Sequence, residues 1–513
     1  MTHHTSLHKR YKLLLPVLLL ACLCGCRKNF LDVEPQGTYT TDTYPYPGGS
    51  GPYDTYIFSA YAEMRSFNTH SQSFICATLM RSDDADKGST PSDGGADASS
   101  MDNFPVLPSN GFCNTLWTGY YTLISKTNVA IDQIHNNANI QASPEIKAQS
   151  EGEVRWLRAY AYFMLVRLFD RVPLIDSVLT NPASQSNIPQ SNASQIYASI
   201  ESDLQFAAAN LPASWDPTKF PGRLTSGAAN GLLAKVYLTE KKWDLAMSTA
   251  DLVIGSGQYD LSTPYDKIFR EDGENSKESV FEIQATASQA VQTANGIQYA
   301  SIMGVRGSGT FNMGWGWATP SADLAGTYET GDPRRARTIL FTSDATHTYQ
   351  TIYGETIPVG LPNPMYNNKV YTNPTYRAAT GSLAGYWMNV RILRFADVIL
   401  MYAEAAAESG HTQEALDKLE MVRARARNGN SAILPPVTTT DHDSLIAAIR
   451  HERRVEMGME HDRFFDLVRW GIAQETLNAA GKLNFSDSRD VLLPIPQTQI
   501  DLSKGVLTQN PGY

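Results

Sequence analysis

Residues 151–175 read EGEVRWLRAYAYFMLVRLFDRVPLI, and no other stretch restricts the fold so tightly. From Val154 to Phe169 almost every side chain is apolar or aromatic, and the exceptions are Arg155, Arg158 and Arg167. A helix that is apolar all round is buried all round. Sixteen residues of helix span about 24 Å, roughly the width of a domain. Pro173 ends the segment, because proline cannot donate a hydrogen bond and disfavours helix in the residue before it. A guanidinium cannot shed its proton, so a buried one needs carboxylates or carbonyls around it. Arg155 and Arg158, three apart on one face, therefore predict acidic partners on another helix. The competing reading has long stems along the core and heads in water.

The N-terminus carries an address. Lys9, Arg10 and Lys12 precede a nine-residue apolar run, Leu13 to Ala21, too short to cross a bilayer as a helix, which takes about 20 residues. That pattern predicts a signal peptide over residues 1–25. Leu23-Cys24-Gly25-Cys26 resembles a bacterial lipobox, which makes Cys26 the lipidation site of a membrane-anchored protein. Arg27 follows in place of an inner-membrane-retaining aspartate, so the expected destination is the outer membrane. Of the later cysteines, Cys76 and Cys113 either pair or sit as two small buried groups. A formal charge of −10 without a basic stripe excludes a phosphate backbone as partner.

The rest of the chain is mostly helical in pattern. Residues 53–67, 115–134 and 194–211 carry helical periodicity. Ala234 and Ala246 are twelve apart, as are Ala403 and Ala415, and small residues at that spacing let antiparallel helices approach across a short turn. That is the tetratricopeptide signature, and such units stack to bury their faces. Two clear units and two weaker ones, Trp117 to Arg171 and Asp441 to Ala480, predict a mainly α scaffold of about four helix pairs. Between Asp260 and Asn389 the helical period disappears in favour of Gly, Asn, Thr and aromatics, with short β-prone runs. The expected organisation is one body over 26–513: a helical frame over 53–259 and 390–480, and an irregular insertion over 260–389. Residues 81–110, rich in Gly, Ser and Asp, read as a long surface loop. Asp83, Asp84 and Asp86 offer oxygen ligands suited to calcium but lack an EF-hand pattern, and a solvated acidic turn competes with that reading.

Several segments, in order, resemble the SusD/RagB-like outer-membrane lipoproteins of Bacteroidetes. They are Cys26 followed by Phe30-Leu31-Asp32 and Pro35; residues 153–175; RLTSGAANGLLAKVYL from Arg223; PSADLAGTYETGDPRR from Pro320; LRFADVILMYAEA from Leu393; ERRVEMGMEHDRFFDLVRWG from Glu452; and the closing LLPIPQTQIDLSKGVLTQNPGY. The resemblance implies a tetratricopeptide-like scaffold, no catalysis, and capture of an oligosaccharide, or in some members a peptide, at the cell surface. It also implies a SusC-like TonB-dependent transporter as partner. Within these motifs Arg155, Arg158, Arg394, Asp397, Glu404, Glu452, Arg453, Arg454, Asp462 and Asp466 read as an ion-pair network. The carboxylates for the 151–175 helix are expected on the Asp397 to Glu404 helix or the Glu452 to Asp466 segment.

Sugars present polar rims and apolar C–H faces, so their sites pair a flat aromatic platform with planar hydrogen-bonding side chains. Trp315 and Trp317, with Tyr299 and Phe311 nearby, are the candidate platform, and Arg81, Asp83 and Asp84 the candidate polar contacts. Trp117 falls on helical period and reads as core. A helical glycoside hydrolase is the enzymatic alternative, needing two carboxylates about 5–10 Å apart in a cleft. His451-Glu452 lacks a second histidine four residues on, and no G-x-S-x-G, P-loop or dinucleotide fingerprint occurs.

Overall fold

A computed structural model describes residues 51–181 and 188–513. The signal-peptide reading and Cys26 lie outside the described residues. Helix α1 (Asp54–Met64) leads to strand β1 (Ala85–Gly88) and helices α2 (Gly95–Asn103), α3 (Gly111–Asn136) and α4 (Pro144–Phe169). Helices α5 (Ala193–Asn210), α6 (Ser226–Thr239) and α7 (Trp243–Ile254) continue the frame. An irregular region follows with strands β2 (Ser279–Ile283), β3 (Trp317–Pro320), β4 (Ile339–Phe341), β5 (Met365–Asn367) and β6 (Val390–Arg394). The frame resumes with α8 (Phe395–Glu408), α9 (Thr412–Arg427), α10 (His442–Met457), α11 (Arg463–Trp470) and α12 (Ala473–Ala479).

Helix α4 begins where Ser143 accepts from the Ile146 amide and Pro144 occupies the first turn, both standard start signals. It is buried from Ser150 to Phe169 apart from Arg155 and Arg167. Trp156 stacks on Tyr160 at 5.6 Å, Tyr160 stacks on His70 at 5.5 Å, and the Trp156 indole donates to the Ala228 carbonyl. The arginine partners differ from expectation. Arg158 makes two 2.8 Å hydrogen bonds to Asp203 on α5, a third to Asn128 and a fourth to the Asp176 carbonyl. Arg155 pairs with Glu151 of its own helix and stands 3.4 Å from Asp203. Successive helices pack as neighbours, so the sequence-adjacent α5 supplies the carboxylate before any distant helix can. Arg167, at the other end, does reach the 452–466 segment, 3.4 Å from Asp462.

The small-residue spacing is realised as helical hairpins. Ala234, Ala246, Ala403 and Ala415 are all buried, with α6 on α7, α7 on α8 and α8 on α9. Among the described residues the structure is mainly α, with sheet confined to two-stranded pairs. One of these, β2 against β6, brings Ser279 beside Arg394 and Ile283 beside Val390. The irregular region thus leaves and rejoins the frame at one antiparallel ribbon. Within it Val305, Phe311, Met313, Leu340, Ile357, Tyr366 and Tyr371 form a second core of their own.

Residues 81–110, expected as a surface loop, instead start buried, pair β1 with β3 and continue into α2. Their acidic character is answered by arginines 370 and more residues away in the chain, which local sequence cannot display. Cys76 and Cys113 are free and buried, which selects the second of their two readings.

Glu452 to Trp470 forms the ionic centre of the molecule. Arg453 binds Asp397 and Asp466; Lys235 joins Asp397 and Asp462; Arg469 holds Glu404 at 2.6 Å. Arg394 reaches Glu278, Glu456 and Glu460, while Arg334 reaches Asp332, Glu452 and Glu456. Burial alone would raise the Glu456 carboxyl, but Arg425, Arg394 and Arg334 outweigh it and hold it well below the usual carboxylate range.

Removing one partner of a buried pair strands the other charge. Arg158→Met is therefore expected to lower unfolding free energy by about 3–5 kcal/mol. Arg155→Met, whose side chain is 23% exposed, is expected to lower it by about 1 kcal/mol at most. Chemical denaturation of both variants checks this, and equal losses would contradict the assignment.

Candidate ligand-binding surface

Two parts of the chain distant in sequence meet at the β1–β3 ribbon, in the register Ala85 to Pro320, Asp86 to Thr319 and Gly88 to Trp317. The Ser89 amide extends the ladder by donating to the Gly316 carbonyl. A Cβ on Gly88 would lie 2.4 Å from that carbonyl oxygen, so the approach requires glycine. On the other side, 301–305 folds against 313–316: the Trp315 amide donates to Ser301, Gly316 to Gly304 and Met313 to Val305. These bonds seat Trp315 on a rigid turn.

Trp315 is 43% exposed and Trp317 only 3%. Residues two apart in a strand share a face, but Gly316 at φ +70° breaks the strand between them. Trp317 lies under the Lys87 ammonium, 5.0 Å from its ring, and so close to Gly94 that a Cβ there would sit 2.4 Å from the indole. Arg306 packs against Gly316, the residue after Trp315, and binds Ser89 at 2.9 Å and Asp93. The Arg306 and Asp93 side chains keep 36% and 30% exposure. Hydrogen bonds from Ser89 and Thr90, with Arg306 adding its charge, hold the Asp93 carboxyl below its ordinary value. Tyr366 donates to the Arg306 carbonyl and receives a bond from Asn363, fixing the arginine from behind. The result is a half-exposed indole one residue along the chain from Gly316, against which a solvent-reachable guanidinium–carboxylate pair is held on a firmly hydrogen-bonded base.

The other sequence candidates do not join it. Tyr299 is buried beside Phe74, with its ring 6.5 Å away, because residues 300–303 form a short helix that turns it into the core. Phe311 belongs to the second core. Trp317, Tyr299 and Phe311 are packing residues here, and Trp117 is core as expected. Arg81 is fully buried: its guanidinium lies 4.1 Å over the Phe464 ring and donates to the Asp490 and Leu492 carbonyls. Asp83 accepts two 2.8 Å bonds from Arg463 and pairs with Arg454, and Asp84 accepts from Arg454. Those carboxylates are consumed by ion pairs, so they face neither a sugar nor a calcium ion, and Asp86 stands apart on the exposed side of β1. Among the described residues no group of three or more His, Cys, Asp or Glu is arranged to hold a metal.

Sequence reasoning passed over Arg306, Asp93 and Ser89. The signal was present, since Gly304-Val305-Arg306-Gly307 carries one arginine in the same glycine-rich run as Trp315. It also passed over Tyr376, which is 43% exposed and lies nearly parallel to Trp387 at 6.2 Å, another flat aromatic surface on the irregular region.

A model of the SusD family matches residues 277–513. A second, described as starch-binding and associating with the outer membrane, matches residues 60–238. SusD-like protein P2 of Formosa agariphila is 29% identical over 98% of this chain and 100% of that relative. Among solved structures, a laminarin-binding SusD-like protein superposes with TM-score 0.75 at 27% identity, over 90% of this chain and 99% of that one. Surface glycan-binding protein A from Bacteroides fluxus gives 0.74 at 25% identity, over 90% and 99%. No helix among the described residues is long and apolar enough to cross a membrane.

The two tryptophans separate by stability. Trp317→Ala is expected to cost about 3–5 kcal/mol through the cavity it leaves, and Trp315→Ala to stay within about 0.5 kcal/mol. Urea unfolding followed by circular dichroism distinguishes them, and similar losses would refute the contrast drawn between them.

Proposed function

With the chain belonging to the SusD-like proteins, we propose that it is a non-catalytic, outer-membrane lipoprotein that captures an oligosaccharide at the cell surface. It delivers that oligosaccharide to a SusC-like TonB-dependent transporter. Cys26 carries the lipid, and the described residues form one body whose irregular insertion bears the ligand surface. Trp315 stacks on the C–H face of a sugar ring, and Arg306 and Asp93 hydrogen-bond its hydroxyl rim.

The observation that carries this reading is the half-exposed Trp315, followed in the chain by the Gly316 against which the reachable Arg306–Asp93 pair is held. An exposed indole on a rigid turn gains little for folding, whereas it provides a preorganised apolar plane for a ligand. The relatives named for laminarin and surface glycan binding support oligosaccharide as the ligand class. Arg306 and Asp93 already satisfy each other, which suits hydrogen bonding to neutral hydroxyls better than the activation of a water.

Calorimetric titration of the lipid-free chain, residues 27–513, against a panel of oligosaccharides that includes laminarin fragments tests the reading. Saturable binding without new reducing ends is expected, and Trp315→Ala should weaken it about tenfold or more, equivalent to 1.4 kcal/mol. Unchanged affinity in that variant, or accumulation of cleaved product, overturns the proposal.

A further inference from the structure

A second solvent-reachable cleft shares no residue with the Trp315 surface. It lies between α1, the turn at 219–223 and β2, with a volume of about 200 Å³. Its walls are apolar and largely aromatic: Phe58, Phe220, Phe281 and Ile283. Phe58 is 40% exposed on the outer surface of α1.

The polar groups of the cleft are mostly spent. Tyr61 donates to Glu153 and accepts from the Leu224 amide. Arg223 binds Glu153 and Asp54, both at 2.8 Å, and its guanidinium lies over the Phe58, Trp215 and Phe220 rings. The Gln284 amide is bonded in both directions to Asn275. Arg65 differs. It stands half-buried at the C-terminal end of α1, and its hydrogen bond is a long one, 3.5 Å from Nη1 to the Gln284 carbonyl. Among the described residues no carboxylate pairs with it; Glu63, two residues earlier, is held by Lys126. Desolvation correspondingly presses its pKa down. Arginine keeps its proton regardless, so the guanidinium keeps donors that an incoming anion can satisfy.

We propose that this cleft is a ligand site for a small monocarboxylate with a flat apolar body, the carboxylate on Arg65 and the ring against Phe58 and Phe220. A polyol fits it poorly, because too few free donors and acceptors remain to read several hydroxyls. A neutral apolar molecule leaves Arg65 as it was. The volume suits a single ring bearing its acid group. Charge complementarity, aromatic walls and size converge on one ligand chemistry.

Titration of the lipid-free chain with benzoate, and in parallel with benzyl alcohol as neutral analogue, tests this by calorimetry and ligand-observed NMR. Benzoate should bind saturably and about tenfold more tightly than benzyl alcohol, the difference a charge-assisted bidentate bond supplies. Arg65→Met should abolish that preference, and Phe58→Ala, at an exposed position where folding is not at stake, should weaken both probes. Absence of saturable benzoate binding, equal affinity for the two probes, or a preference that survives Arg65→Met would each overturn the proposal.

Discussion

Arg453 donates to Asp397 and Asp466, both buried, and sits where α8, α10 and α11 meet. Everything around it depends on these charges staying matched. Two neighbouring clusters extend from the same segment: Glu452, Glu456 and Glu460 gather Arg334, Arg394, Arg423, Arg425 and Lys369, while Arg454 and Arg463 hold Asp83 and Asp84. A buried ion pair adds little stability over a well-packed apolar pair, but loss of one member is expensive. The network therefore acts on position more than on total stability. Any shift of α10 and α11 against the frame would strand several buried charges together.

That constraint reaches the candidate site. The Asp83 and Asp84 pairs fix the approach to β1, Ser321 donates to the Asp83 carbonyl and its amide to the Asp84 carbonyl, and the β1–β3 ribbon then sets Trp315. A second route passes through Arg334 and Lys369, which tie the irregular region to Glu452, Glu456 and Glu460. The indole is thus mounted on a loop whose both ends are clamped to one helix–turn–helix. Such mounting limits the conformational freedom that a ligand would otherwise have to remove on binding.

The helical frame was legible because periodicity and small-residue spacing are local properties of the sequence. Ala234 with Ala246 and Ala403 with Ala415 announced the hairpins, and the apolar run around Trp156 announced the central helix. The wrong partner for Arg158 shows where that reading stops: Asp203 looks like any exposed helical acid, and only the packing of α4 on α5 makes it buried. The same holds for Asp83 and Asp84, whose arginines lie at the far end of the chain. Trp315 and Trp317 share one Gly-Trp-Gly-Trp run, and only the proximity of Trp317 to the Pro320 motif hinted at packing; one glycine at positive φ decides which indole faces solvent. Arg306 and Asp93 are brought together by the β1–β3 register, a long-range pairing that no window of residues reveals.

The proposed function requires that one solvent-facing surface around Trp315 receives the glycan. Hydrogen–deuterium exchange of the lipid-free chain, with and without a saturating oligosaccharide identified as a ligand, tests it most directly. Added protection is predicted in residues 86–95 and 301–317, with α10 and α11 equally slow in both states. Protection confined to other segments, with those two unchanged, would contradict the claim.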